Sequence, residues 1–156
     1  DRLNPELQSL GILGTMYDAR TLHSREVLER ARRAGLNVGV RLPPNWVVLD
    51  VDPRNFPEGR DTLAELVRDA GLDLSQAPHV RTGSGGRHYY FRKPADAQTL
   101  ESLEQFPGIE FKTIGRQVVA AGSVHPCGNP YRWEWDAEKA LRRYDIAITR
   151  LGVKQE

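Results

Sequence analysis

The chain has 156 residues, 39% of them hydrophobic and 28% charged, which is the composition of one soluble globular domain with little room for a second and no apolar run long enough for a membrane span. Its 22 basic and 21 acidic residues leave a net charge of +1, so no global basic field draws it to nucleic acid, and any such binding must come from a local patch. A single cysteine, Cys127, excludes an internal disulfide or a multi-cysteine zinc site and fits a cytoplasmic location, while a first residue of Asp and no signal peptide lead us to expect a single domain over 1–156, excised from a larger protein.

Leu3, Leu7 and Leu10 recur at helical spacing and Gly11 and Gly14 follow, so residues 1–20 are expected as a short helix running into irregular chain. Ser24 is a plausible N-cap for a helix through Ala34 that Gly35 stops. Leu36 to Arg41 predicts a strand. Pro43-Pro44-Asn45 then predicts a turn into Trp46-Val47-Val48-Leu49-Asp50-Val51-Asp52, a second strand, so that a first hairpin delivers two carboxylates to a strand end. Pro53 to Gly59 is expected as loop, and Asp61 can cap a helix through Ala70, with Leu63, Leu66, Val67 and Ala70 as its buried stripe and Gly71 as its stop. His79-Val80-Arg81-Thr82, the turn Gly83-Ser84-Gly85-Gly86-Arg87 and His88-Tyr89-Tyr90-Phe91 read as strand, turn, strand. A short helix is expected around Leu100 to Phe106, then strands at Ile109 to Ile114, Gln117 to Ala121 and Tyr131 to Trp135. Asp136 caps a last helix through about Tyr144. Strands interspersed with two or three helices predict an α/β or α+β fold with an antiparallel or mixed sheet.

Side chains alternate across a strand, so Asp50 and Asp52 share one face while Val47, Leu49 and Val51 take the other. Two adjacent carboxylates on a rigid strand repel unless a proton or a cation bridges them, and hard oxygen ligands suit Mg²⁺ or Mn²⁺. The same Asp-x-Asp-Pro also serves as solvated turn chemistry, and the residues alone leave both readings open. The glycine-rich turn is too short for a Walker A loop and precedes a strand, yet its composition suits phosphate: glycine amides can converge on an anion, with Ser84, Arg87 and His88 as further donors. An ordinary glycine hairpin, with His88 as a packed strand histidine, fits equally. Glu110 lies in an apolar strand on the same face as Lys112, and it must reach solvent, a base or a metal. Its ordinary reading is a salt bridge with Lys112. His125 and Cys127 flank Pro126 without a zinc spacing, and Tyr131, Trp133 and Trp135 read as core and strand-edge packing. Collectively, paired carboxylates, a third carboxylate with a lysine and a glycine-serine-histidine turn are what two-metal nucleotidyl transfer requires.

The order of these blocks resembles the N-terminal catalytic domain of bifunctional primase-polymerases (Prim-Pol), of the archaeo-eukaryotic primase superfamily. The resemblance runs from Leu36 to Trp133 through Asn37-Val38-Gly39-Val40, Val47 to Asp52, Thr82 to Phe91, Gly108 to Lys112 and Val118 to Gly128, with Tyr131 and Trp133 after them. It implies a primase-type domain with a central antiparallel or mixed sheet flanked by helices and a smaller N-terminal lobe. By position it makes Asp50, Asp52 and Glu110 the metal ligands for Mg²⁺ or Mn²⁺, and His88 a contact of the incoming triphosphate. Ser84, Gly85, Gly86 and Arg87 share that turn, Lys112 faces the triphosphate, and Ser123 and His125 fall in a loop near the nucleotide. The sequence departs from the pattern at three places: Glu110 stands where many relatives have Asp, Gly86-Arg87-His88 replaces Ser-x-His, and Ala121-Gly122 replaces a frequent Pro-Pro.

The function implied is template-directed nucleotidyl transfer from (d)NTP substrates to a 3′-hydroxyl, with a DNA template and primer as partners and helical or helicase domains of the parent protein C-terminal to this one. No membrane partner is expected. Arg30, Arg32, Arg33, Arg142 and Arg143 are candidate template contacts. Two other functions use the same residues: a two-metal nuclease, and a non-catalytic nucleotide or nucleic-acid binding module of a larger replication or defence protein.

Overall fold

The computed structural model describes residues 12–14, 30, 31, 33–75 and 77–134. The expected N-terminal helix, the Ser24 cap, Arg32, Trp135, the Asp136 helix, Arg142 and Arg143 lie outside the described residues. Ten elements organise the rest: β1 (Ile12–Gly14), β2 (Val38–Arg41), β3 (Trp46–Val51), a 3₁₀ turn (Pro53–Asn55), α1 (Thr62–Ala70), β4 (His79–Arg81), β5 (Arg87–Arg92), β6 (Ile109–Lys112), β7 (Gln117–Val119) and β8 (Arg132–Trp133). Among the described residues antiparallel pairing dominates and helix is sparse, an α+β fold.

The local stop signals act as their chemistry predicts. Asp61 caps α1 by accepting the Ala64 N–H, and Gly71 closes it in the left-handed region at φ 62°. The Leu72 N–H then reaches back to the Val67 carbonyl at 2.9 Å, which satisfies an otherwise orphaned acceptor of the last turn. Gly35 stops the preceding helix the same way, at φ 66°, with Leu36 N–H donating to the Ala31 carbonyl.

The strands form two sheets. One is β6-β3-β5-β4-β8, antiparallel throughout, and the other is β1-β2-β7, with β1 parallel to β2 and β7 antiparallel to it. The smaller sheet is therefore not purely N-terminal, since β7 joins it from late in the chain.

Three sequence expectations are corrected. Ile12–Gly14, expected as irregular chain, is a strand, because β2 offers it a free edge to pair with in parallel. The β2–β3 hairpin does not form: β3 spends both edges on β5 and β6, and β2 pairs with β1 and β7 in the other sheet. Pro43 and Pro44 cannot donate to a ladder, so the chain turns there from one sheet into the other, and buried Leu42 fills the gap between them. The helix expected over Leu100 to Phe106 is also missing. That segment instead lends the Glu101 carbonyl to the Phe111 N–H at 2.8 Å and bridges Ser102 to Glu110, because a short helix is marginal alone and the outer edge of β6 offers unpaired backbone groups.

The five-stranded sheet is covered on both faces. Val47, Leu49, Val51, Tyr89, Phe91, Ile109 and Phe111 pack against Leu66 of α1 and against Phe106, as the alternation in β3 predicts. On the opposite face Val48, Tyr90 and Val80 pack with Leu42 and Val118 of the other sheet. Burial of such side chains contributes about 1.5–3 kcal/mol each. Asp50 and His88 belong to this second face, beyond the end of its apolar cluster.

Candidate active site

Register sets the site. Asp50 of β3 pairs with His88 of β5 on one side and with Glu110 of β6 on the other, so three polar side chains stand in a row across three strands. His88 Nε2 lies 3.4 Å from Asp50 Oδ1, and Lys112, two residues past Glu110, brings Nζ to 3.7 Å from Asp50 Oδ2 while also bonding Glu110. The sequence reading of Glu110 as a salt-bridge partner of Lys112 is the contact the structure shows. His88 is buried. Its Nδ1 has no hydrogen-bond partner among the described residues, an uncommon condition for a buried ring nitrogen.

Asp52 lies one residue past the end of β3. Its N–H continues the ladder to the Gly108 carbonyl at 2.8 Å, and its carboxylate accepts from the Arg54 N–H, which begins the 3₁₀ turn. The Arg54 guanidinium grips the same carboxylate with both arms, Nε to Oδ1 at 2.9 Å and Nη2 to Oδ2 at 2.7 Å. That guanidinium holds the Asp52 carboxyl below its ordinary range. Gly108 is required at this corner: its φ is 81°, and a Cβ there would stand 2.8 Å from the Asp52 carbonyl oxygen.

Two loops close around this row. In the turn after β4, Thr82 N–H bonds the Gly86 carbonyl at 2.9 Å, and the amides of Gly85 and Gly86 are committed to the Thr82 carbonyl and hydroxyl. Ser84 Oγ lies 3.0 Å from Thr82 Oγ1. The loop before β8 packs onto this turn, with Asn129 Nδ2 and Cys127 Sγ both on the Gly83 carbonyl, at 3.0 and 3.3 Å. A Cβ at Gly83 would stand 2.3 Å from His125 Cβ, so the contact depends on glycine. His125 accepts the Cys127 N–H at Nδ1, which leaves Nε2 as the protonated nitrogen of the neutral ring, assigned from that bond. Tyr131 stands between the histidines, its ring centroid 6.0 Å from that of His88 and 6.2 Å from that of His125. Burial pushes the Tyr131 hydroxyl up in pKa, and the Asp50 charge adds to it.

The structure therefore brings together Asp50, Glu110, Lys112 and His88, with Asp52 two residues along from Asp50 and one past the end of β3. Arg87 goes elsewhere: it alternates with His88 on β5 and pairs with Glu134 at 2.9 Å. Ser123 is buried, its hydroxyl accepting the Val38 N–H at 2.9 Å, so it holds the loop to β2. Among the described residues no group of three His, Cys, Asp or Glu side chains is placed to hold a metal ion as they stand. The donor set nonetheless suits a hard divalent ion, since its carboxylate oxygens are each met by a cation, Asp50 and Glu110 by Lys112 and Asp52 by Arg54. Sequence reasoning missed Arg54 as a member of the site; its only signal was its position two residues after Asp52.

A family model described as Prim-Pol: Bifunctional DNA primase/polymerase, N-terminal, matches residues 13–146. No curated protein matches the chain.

Proposed function

Because this chain belongs to the Prim-Pol family of bifunctional DNA primase/polymerase N-terminal domains, we propose that it transfers nucleotides from a (d)NTP to the 3′-hydroxyl of a strand held on a template. Primase-polymerase domains generally depend on a divalent metal and interact with nucleotide and nucleic acid. The observation that carries the reading here is the row Glu110–Asp50–His88, in register across three strands with Asp52 just beyond it.

Asp50, Asp52 and Glu110 would hold Mg²⁺ or Mn²⁺, which in such sites supplies acidity for the attacking hydroxyl and positive charge for the departing pyrophosphate. The chain's own residues do the rest. Strand backbone fixes where Asp50 and Glu110 start from, and Asp52 follows one residue past the end of β3. His88 Nε2 and His125 Nε2 are N–H donors suited to phosphate oxygens, and Lys112 is a compact charge able to neutralise the triphosphate. Tyr131 keeps the two histidines apart at a fixed spacing. Template contact is assigned to local arginines, since net charge supplies no steering field.

Primer extension tests this directly, with a labelled primer on a template, dNTPs or NTPs, and Mg²⁺ or Mn²⁺. Wild-type protein should extend only with metal present, and Asp50→Ala should lose at least about 100-fold. Undiminished extension by Asp50→Ala would overturn the assignment. Strand degradation without nucleotide would convert the reading to a nuclease, and nucleotide binding with no metal-dependent chemistry would leave a binding module.

A further inference from the structure

The carboxylates needed for nucleotidyl transfer are each already met by a cation of the chain itself. Lys112 stands against Asp50 and Glu110, and Arg54 chelates Asp52 with both arms of its fork. Nothing in the resemblance accounts for Arg54. Its side chain is 60% exposed, on the turn that leaves β3, and its fork is closed on the Asp52 carboxylate at the end of that strand.

The Arg54 end of this two-armed pair is open to solvent, so the guanidinium can be drawn off when a doubly charged ion competes for Asp52. A divalent ion that takes Asp52 displaces the guanidinium from its partner. A triphosphate entering with its ions brings negative and positive charge in nearly equal amount, so the two side-chain cations stay needed and must pass from carboxylate to phosphate. The planar fork that fits a carboxylate fits a phosphate equally well. We propose that Arg54 is a nucleotide-binding residue, parked on Asp52 in the resting site and transferred to the triphosphate when a divalent ion takes its place. This inference rests on the nucleotidyl-transfer reading.

The competing explanation is that Arg54 merely shapes the 3₁₀ turn. The two separate cleanly, because the capping bond to Asp52 comes from the Arg54 backbone N–H and survives removal of the side chain. Mn²⁺ binding to the apo chain is measured by electron paramagnetic resonance of the free ion, and dNTP binding in the presence of Mn²⁺ by calorimetry, for wild type, Arg54→Ala and Arg54→Lys. Matching melting temperatures confirm folding, with Arg54→Gln as the substitute if alanine is unstable. Arg54→Ala should bind Mn²⁺ alone about two- to five-fold tighter, since a competitor is gone. It should bind dNTP about ten-fold more weakly, with partial recovery in Arg54→Lys. Unchanged Mn²⁺ affinity or unchanged dNTP affinity in Arg54→Ala, beside a wild type that binds both, overturns this inference alone. A wild type that binds neither overturns the nucleotidyl-transfer reading and this inference with it.

Discussion

At Asp50 one carboxylate meets a histidine from β5 and a lysine from β6, and the loops around that meeting depend on single positions. Gly83 is the sharpest example. Its backbone is not in the left-handed region, so alanine there meets no conformational penalty, only the His125 Cβ at 2.3 Å and the Asn129 carbonyl oxygen at 2.5 Å. Gly83→Ala should push the two loops apart while leaving the sheet intact. Calorimetry with dNTP and Mn²⁺ should then show affinity lowered about ten-fold, against a thermal midpoint that falls by only a few degrees; unaltered affinity would remove His125 from the site. The shared face of Asp50 and Asp52 was legible in the sequence because alternation belongs to a single strand. The partners of Asp52 were not, since Asp-x-Asp-Pro is equally good as turn capping and as metal ligation, and the structure shows the capping carried out by the Arg54 N–H.

At the scale of elements, β8 is short and exposed, and charge holds it in place. Glu134, just past β8, gathers Arg87 at 2.9 Å, His79 at 3.5 Å and Arg81 at 3.7 Å, and its N–H bonds the His79 carbonyl. Partial burial pushes the Glu134 carboxyl up, and the Arg87 hydrogen bond with the neighbouring positive charges more than reverses this, so its pKa is lowered in the folded state from an ordinary 4.5. A lowered carboxyl releases its proton more readily when folded, so its stabilisation is fully present above the unfolded pKa and is lost as pH falls through the folded one. Glu134→Gln should therefore cost about 1 kcal/mol at pH 7 in urea denaturation, and the gap to wild type should close under acid. A gap that persists unchanged at low pH would assign the contact to packing. Element boundaries with chemical punctuation were legible: Asp61 and Gly71 bracket α1, and the glycine turn joins β4 to β5. The Leu100 to Phe106 helix was misread because its helical spacing of apolar residues, Leu103 and Phe106 among them, serves packing on the sheet equally well without helical backbone.

Across the whole molecule, the three-stranded sheet covers one face of the five-stranded sheet but stops short of the carboxylate row. Strand ends from β3, β5 and β6, the turn after β4 and the loop before β8 meet there, so metal and nucleotide would bind a place built from most of the chain. Ligand that binds only the folded state stabilises it by mass action. Mn²⁺ at about 100 times its dissociation constant should raise the melting temperature by about 5–10 °C, and Asp50→Ala should lose that shift. An equal shift in the variant would place the ion elsewhere. Among the described residues no helix is long and apolar enough to cross a membrane.

By itself the sequence determined what depends on near neighbours along the chain: the strands from β2 onward, the glycine stops, and the alternation that sets Asp50 and Asp52, and Glu110 and Lys112, to like faces. The order of the motif blocks was enough to point to the family. Only the tertiary structure decided that β2 leaves β3 for another sheet, that His88 and Glu110 flank Asp50, that Arg87 turns to Glu134 and that Arg54 occupies Asp52. The physical reason is that alternation and capping are settled within a few residues, whereas a strand edge takes whichever unpaired backbone groups the rest of the fold leaves open, and a charged side chain takes whichever opposite charge that pairing brings within reach.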